Sequence, residues 1–247
     1  ELKDKAHNDI QLLVQNDIDK AILKWFLLFS DKTLKTNFYF KQKMALSFRM
    51  DGSIVNKLEY PENPYAIILI LGKEFSGYHV RFRPIARGGI RIIRSNDKAS
   101  YTINHDLVFE ETYNLAYTQQ RKNKDIPEGG SKGALVIHYH SNDTNEQCFK
   151  QYIDSLLDLM LPRSDVRDYL DNKGKEDIIF IGPDEGTAEF MDWAGFRAKE
   201  RNYQFWKAFS TGKTKENGGI RHDDYGMTTQ SIHQYVLGIL DKYGLKE

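Results

Sequence analysis

Residues 119–137 read QQRKNKDIPEGGSKGALVI, a charged and glycine-rich stretch that leads into an apolar segment. The apolar part, residues 134–137, has the composition of a buried strand. The glycines before it let the backbone approach a ligand closely, and Lys132 places a positive charge at the mouth of the expected strand. The alternative is a solvated turn with incidental lysines, and the spacing alone does not decide between the two.

Helical and strand-like patterns follow one another along the N-terminal half of the chain. Residues 5–29 repeat apolar side chains every four positions, which predicts a helix with a break at Asn16-Asp17. Strand-like segments follow over residues 38–50, 65–71 and 78–83. Because short turns join these three segments, we expect them to pair antiparallel.

The alternation continues after residue 95. Helical patterns cover residues 96–121, 145–161, 188–199 and about 227–243. Strands are expected over 133–139 and 177–182, and the charged section 163–176 is interpreted as a surface connection. The sequence therefore predicts an α/β fold, with a mixed sheet of about five strands flanked by helices.

Three charged residues lie where a strand is expected to meet a loop. Arg87 precedes the pair Gly88-Gly89, Lys132 opens its strand, and Asp184 follows an apolar strand. Ligand sites of open α/β sheets form at such strand ends. The simpler interpretations are a flexible turn after Arg87 and a helix cap at Asp184.

The bulk composition excludes several classes of function. Lys and Arg total 35, as do Asp and Glu, so the overall charge gives no reason to expect a nucleic-acid partner. The apolar runs are strand-length, which argues against a membrane span. Cys148 is the only cysteine, which excludes an internal disulfide and suits a reducing compartment.

Known cofactor motifs are also missing. A phosphate-binding P-loop needs Gly-x-x-x-x-Gly-Lys-Ser/Thr, but Gly133 follows Lys132, and the chain has no Gly-x-Gly-x-x-Gly fingerprint. His138 and His140 would share one face of a strand, but no acidic or sulfur partner stands at suitable spacing. We therefore predict no metal site.

The remaining polar residues suggest a site for a small polyanion. Arg87, Lys122 and Lys132 could bind carboxylates, with the arginine fork best suited to one of them. Asp184 is the acid among them and is available for proton transfer. Neighbouring cations and burial could lower the pKa of a lysine from about 10.4 towards the ~7–8 that suits a general base.

The chain resembles the glutamate dehydrogenases, and most closely the large NAD-specific enzymes of fungi and protists. The resemblance covers roughly residues 36–240 and rests on several motifs that occur in the same order. These motifs are Arg87-Gly88-Gly89-Ile90-Arg91, the run from Asn114 to Gln120, Lys122-Asn123, Gly129-Gly130-Ser131-Lys132-Gly133, Gly182-Pro183-Asp184-Glu185-Gly186-Thr187, Gly218-Gly219-Ile220-Arg221-His222-Asp223 and Tyr225-Gly226-Met227-Thr228.

The resemblance implies NAD-dependent oxidative deamination of L-glutamate to 2-oxoglutarate and ammonium. It implies that Lys132 activates water for attack on an iminium intermediate and that Asp184 carries protons to and from the substrate nitrogen. Lys122 matches the lysine that binds the α-carboxylate, and Thr228 matches a threonine near the nicotinamide. Arg87 stands where the small hexameric enzymes carry lysine and still supports binding of the side-chain carboxylate.

The same resemblance assigns Gly88, Gly89 and Gly130 to the substrate site. It divides the chain into an N-terminal helical segment (1–35), a substrate-binding α/β domain (36–225) and a helix (226–247).

That helix would lead toward an NAD-binding domain absent from this chain. Because the chain starts without methionine and ends abruptly, we interpret it as a piece of a longer protein, inactive alone.

The wider expectations are a homo-oligomer when full length, with no nucleic acid and no membrane as partner. The compartment is expected to be the cytoplasm, with the mitochondrial matrix as the alternative. The alternative function is a non-catalytic module that senses dicarboxylates or regulates another activity.

Overall fold

A seven-stranded mixed sheet forms the centre of the computed structural model, which describes residues 2–122, 124, 126–161 and 177–245. The strands are β1 (Thr33–Thr36), β2 (Leu46–Asp51), β3 (Ala66–Leu71), β4 (Phe75–Arg81), β5 (Ile85–Arg94), β6 (Gly129–Ile137) and β7 (Ile178–Gly182). Their order across the sheet is β1-β2-β3-β4-β6-β5-β7. Asn123 and the surface connection expected over residues 163–176 lie outside the described residues.

Seven helices accompany the sheet in the described part of the chain. They are α1 (Leu2–Leu13), α2 (Asp17–Lys32), α3 (Lys98–Gln120), α4 (Asn145–Met160), α5 (Met191–Glu200), α6 (Trp206–Phe209) and α7 (Met227–Lys242). The predicted break in the first helical segment is confirmed, because the Asn16 side chain caps α2 by accepting from the backbone N–H of Ile18 at 2.8 Å. Within the described ranges, no helix has both the length and the apolar character needed to cross a membrane.

Pairing in the sheet changes from antiparallel to parallel along its width. Strands β1 to β4 form an antiparallel meander, and β6 pairs antiparallel with β4. Strand β5 is parallel to both of its neighbours, β6 and β7. The mixed α/β fold and the antiparallel pairing of the three segments that became β2, β3 and β4 are thus confirmed.

The expected number of strands, about five, is too low because β1 and β5 were not recognised. Strand β5 contains Gly88 and Gly89, which the sequence analysis interpreted as a turn. In the structure both glycines lie inside β5. Position 88 requires glycine, because a Cβ there would overlap the carbonyl oxygen of Ser131 on β6. A Cβ on Gly89 would lie 2.8 Å from Oδ2 of Asp184. The glycines therefore allow close approach of neighbours.

Helices cover both faces of the sheet. Helix α4 packs on one face, where its apolar side chains join those of β3, β5, β6 and β7 in the largest cluster of buried residues. Helix α3 packs on the opposite face, against Val80 and Phe82 near β4 and against Ala134 and Val136 on β6. Alternation along β6 therefore directs Lys132, like Ala134, toward the α3 face.

A buried cluster of charges anchors the beginning of β7. Asp177 lies 2.7 Å from Nη1 of Arg81 and 2.5 Å from Nε of Arg49, and all three side chains are buried. Arg81 also donates to the carbonyl oxygen of Ile178 at 2.9 Å. Burial raises the pKa of Asp177, but the two arginines outweigh it and hold the pKa below its ordinary value. The cluster therefore fixes the strand that leads to Asp184.

Candidate active site

Apart from Thr228, the predicted site residues lie on or just after three adjacent parallel strands, or just beyond the end of α3. Asp184 follows the end of β7, as expected, but Arg87 and Lys132 lie within β5 and β6 rather than at their ends. Strand β6 already begins at Gly129, because the glycine-rich stretch pairs with β5 from that residue onward. The site therefore lies on the α3 face of the sheet, where the short strand β7 ends.

A cleft of about 730 Å³ brings most of these residues together. The predicted residues that line it are Arg87, Gly88, Gly89, Lys122 and Asp184. A second cavity of about 290 Å³ shares part of this lining and is bounded by Lys132. A small dicarboxylate is of a size that such a cleft can hold.

Lys132 and Asp184 are in direct contact. The Lys132 Nζ donates to Oδ2 of Asp184, with the lysine side chain buried and the aspartate partly exposed. The other carboxylate oxygen of Asp184 accepts the backbone N–H of Glu185 at 2.7 Å, and the Asp184 N–H donates to Oγ1 of Thr187 at 2.9 Å. The carboxylate is thus held against the lysine and does not cap α5, which begins at Met191.

The surroundings of Lys132 lower the pKa of its side-chain ammonium group. Burial lowers the pKa of Lys132 to about 8, and the positive charges of Arg91 and Lys122 act in the same direction. The carboxylates of Glu111 and Glu185 oppose this change. A lysine with such a pKa is partly deprotonated near neutral pH, which is the property of a general base.

Arg87 is held by a buried carboxylate beside the cleft. Its Nε lies 2.9 Å from Oε1 of Glu128, whose side chain is 4% exposed, while the Arg87 side chain is 41% exposed. Lys124 lies 3.3 Å from the same oxygen, and its side chain is largely buried. Two cations therefore share one carboxylate, which leaves a net positive charge at this end of the cleft.

Lys122 is exposed at the C-terminal end of α3 and lines both cavities. It has no ion pair with any residue that the structure describes. A cation in this position is available to a ligand carboxylate.

Gly130 fixes the distance between β6 and the end of α3. Its N–H donates to Oε1 of Gln120 at 2.7 Å, and a Cβ at this position would overlap the Ala116 carbonyl oxygen and the backbone of Gln120. This close packing brings the end of α3, and with it Lys122, over the sheet face that carries Lys132.

Thr228 is separate from the other predicted residues. It is exposed in the first turn of α7, and it lines neither of the two cavities. The other predicted residues thus come together without it.

Several residues that line the main cleft were given no role from the sequence. They are Gln119, Glu189, Thr211, Arg221, His222, Asp223 and Asp224. Arg221 is notable because its Nε is buried without a hydrogen-bond partner among the described residues. The sequence signal that could have indicated a role for Arg221 is its position in the motif Gly218–Asp223.

The protein side chains that usually bind metal ions are those of His, Cys, Asp and Glu. In the described part of the chain, no group of three or more His, Cys, Asp or Glu side chains is arranged to hold a metal ion.

Comparison with known proteins identifies the family. Residues 6–239 match the family model described as bacterial NAD-glutamate dehydrogenase, catalytic domain. The chain is 52% identical to glutamate dehydrogenase 2 of Dictyostelium discoideum over 96% of its length, and 46% identical to the NAD-specific glutamate dehydrogenase of Neurospora crassa over 99%. The corresponding enzyme of Saccharomyces cerevisiae is 47% identical over 92% of the chain.

The matched region is a small part of each relative. The chain spans 23% of the Dictyostelium and Neurospora proteins and 21% of the Saccharomyces protein. The resemblance to the fungal and protist enzymes is confirmed, and the chain belongs to the family of the bacterial NAD-glutamate dehydrogenase catalytic domain.

Proposed function

We propose that the whole protein oxidises L-glutamate to 2-oxoglutarate and ammonium, with NAD as the hydride acceptor, and that this chain is its substrate-binding part. The observation that carries the proposal is the contact between Lys132 and Asp184 beside a cleft that also presents Arg87 and Lys122. Membership of the family supports the same reaction.

Two cations would orient the substrate by its two carboxylates. Lys122 has no described ion-pair partner and would bind the α-carboxylate, while the Arg87 guanidinium would bind the side-chain carboxylate. Gly88 and Gly89 line the cleft, and with Gly130 they let the neighbouring backbone pack closely enough to bring these cations together. Fixing both ends of a short dicarboxylate holds its central carbon in one position, which favours reaction.

Lys132 and Asp184 would divide the proton transfers between them. Neutral Lys132 would take a proton from water as the water oxygen bonds to the carbon of the substrate iminium. Asp184 would pass this proton from Lys132 to the amino nitrogen of the resulting carbinolamine. As the C–N bond breaks and ammonia leaves, the carbinolamine hydroxyl would lose its proton to Asp184 and become the carbonyl of 2-oxoglutarate. Ammonia would then take up that proton from Asp184 as ammonium. The low pKa of Lys132 supports the first role, because the lysine must be neutral to accept a proton.

The residues described here do not fit a dinucleotide. The sequence lacks the glycine fingerprint of such sites, and Thr228 is exposed on α7 and lines neither cavity. We therefore propose that another part of the whole protein holds NAD.

We also propose that the chain divides into segments 1–35, 36–225 and 226–247. The last segment would lead toward the part of the whole protein that holds NAD. Residue 35 falls within β1, which pairs with β2. The whole protein is further proposed to be a homo-oligomer of the cytoplasm or, alternatively, the mitochondrial matrix.

The test is glutamate-dependent reduction of NAD by the full-length protein. We expect turnover with glutamate and a much smaller kcat/KM when glutamate is replaced by an amino acid without a side-chain carboxylate. Binding of 2-oxoglutarate without turnover would instead support the non-catalytic sensing module, and absence of both binding and turnover would contradict a ligand site altogether.

A further inference from the structure

Arg91 lies on the same face of the sheet as Lys132, on the neighbouring strand. The register of β5 and β6 pairs Arg91 with Ala134, two residues from Lys132. Such diagonal positions on adjacent strands are about 7–8 Å apart, within reach of long side chains. Arg91 belongs to the motif Arg87-Gly88-Gly89-Ile90-Arg91, but its sequence context indicates no role for it.

Arg91 joins carboxylates from two other elements. Its Nη1 contacts Glu111 on α3, and its Nε and Nη2 each lie 2.8 Å from Oε2 of Glu185. Glu185 in turn is tied to β5, because its carbonyl oxygen accepts the N–H of Ile92 at 3.0 Å. The loop that carries Asp184 is therefore anchored to β5 by both a side-chain and a backbone contact.

The charged groups around Lys132 come from every element that packs on it except β4. They are Arg91 from β5, Glu111 from α3, Lys122 just beyond the end of α3, and Asp184 and Glu185 from the loop after β7. Strand β4 places Val80, which is uncharged, opposite Lys132. Two of the three carboxylates in this set contact Arg91, and the third contacts Lys132.

We propose that Arg91 is a positioning residue for the lysine base, an inference that rests on the proposed function. It engages Glu111 and Glu185, so that Asp184 is the carboxylate left for Lys132, and it anchors the loop that carries Asp184. Without Arg91, two unpaired carboxylates would stabilise the ammonium form of Lys132. The balance of charges around Lys132 supports this, since Arg91 lowers its pKa while Glu111 and Glu185 raise it.

The experiment measures the titration of Lys132 itself in the full-length protein. Acetylation of individual lysines by acetic anhydride is followed over a series of pH values, and the labelled peptide that contains Lys132 is quantified by mass spectrometry. We expect a midpoint near pH 8 in the wild type and, in Arg91→Gln, a midpoint displaced toward the ordinary lysine value of 10.5. Arg91→Lys keeps the charge and should stay closer to the wild type.

Glu111→Gln gives the opposite expectation, a lower midpoint, because it removes a carboxylate and leaves Arg91 in place. A general loss of structure would displace the Lys132 midpoint in the same direction in both variants. Opposite displacements in Arg91→Gln and Glu111→Gln therefore distinguish a positioning role of Arg91 from an effect on folding. Arg94→Gln on the same strand is the matched control, since Arg94 is exposed and contacts Asn145 instead. It should leave the Lys132 midpoint unchanged.

An unchanged midpoint in Arg91→Gln, or a higher midpoint in Glu111→Gln, would overturn the inference. Labelling requires no turnover, so a protein that does not oxidise glutamate would refute the proposed function while the titration still tests Arg91. In an active protein, the low-pH limb of kcat/KM should move to higher pH in Arg91→Gln.

Discussion

At the scale of single residues, the proposed activity would depend on whether Lys132 carries a proton. Its pKa of about 8 means that it is mostly an ammonium below that pH and mostly a free amine above it. Because only the amine can accept a proton from water, we predict that kcat/KM for glutamate oxidation falls as the pH is lowered through about 8. A pH profile measured at saturating NAD checks this, and a rate that stays constant through that pH would contradict it.

Arg87 is the residue expected to distinguish a dicarboxylate from other amino acids. A hydrogen bond to a charged group contributes about 1.5–3 kcal/mol, so Arg87→Ala should raise KM for glutamate roughly ten- to a hundredfold. The effect on an amino acid without a side-chain carboxylate should be small. Steady-state kinetics with both substrates measure the difference.

Arg121→Ala is the matched control for this prediction. Arg121 is exposed and pairs with Glu62, and it lines neither cavity. Equal changes in KM for the two variants would contradict the role of Arg87.

At the scale of elements, the approach of β6 to α3 depends on Gly130. Gly130→Ala forces a methyl group into the backbone of α3 and should destabilise the protein by about 1–3 kcal/mol. The midpoint of thermal unfolding measures the loss.

Gly238→Ala on α7 is the same substitution without the collision, since no described atom lies within 4 Å of the added Cβ. Alanine is the better helix former by about 1 kcal/mol, so this variant should be neutral or more stable. Equal destabilisation by both variants would contradict the claim that the close packing at Gly130 causes the loss of stability.

Most elements could be predicted from the sequence, because their periodicity is local. The helices α3, α4 and α7 and the break at Asn16 follow from spacing and capping alone. Strand β5 could not, because Gly88 and Gly89 locally resemble a turn. Their true role depends on how closely β6 and Asp184 approach them, and this contact joins residues that are far apart in sequence.

The sequence could indicate which charged residues gather at the cleft, but not the contacts that they make there. Arg87, Lys122, Lys132 and Asp184 were all identified from motifs, and all line the cleft or the cavity next to it. The pairing of Arg87 with Glu128 depends on the tertiary fold, which no local pattern encodes. The same is true of the contacts that Arg91 makes with Glu111 and Glu185.

At the scale of the whole molecule, binding and turnover should be separable. The chain spans less than a quarter of its relatives, and its sequence has no Gly-x-Gly-x-x-Gly fingerprint. We therefore predict that the isolated chain binds 2-oxoglutarate weakly and does not reduce NAD in the presence of glutamate. Chemical-shift changes near Lys122 and Lys132 on titration with 2-oxoglutarate measure the binding, whereas steady turnover by the isolated chain would contradict the division of roles.

The central claim is that Lys132 and Asp184 carry the proton transfers of glutamate oxidation. The most direct measurement is kcat of the full-length protein for glutamate oxidation in Lys132→Ala and Asp184→Asn. Lys73→Ala serves as the control, because that lysine is exposed beside Glu74. General acid–base groups contribute about 10²–10⁴-fold, so each of the two site variants should lose roughly that factor, while the control retains the wild-type rate. A wild-type rate in either site variant would contradict the account.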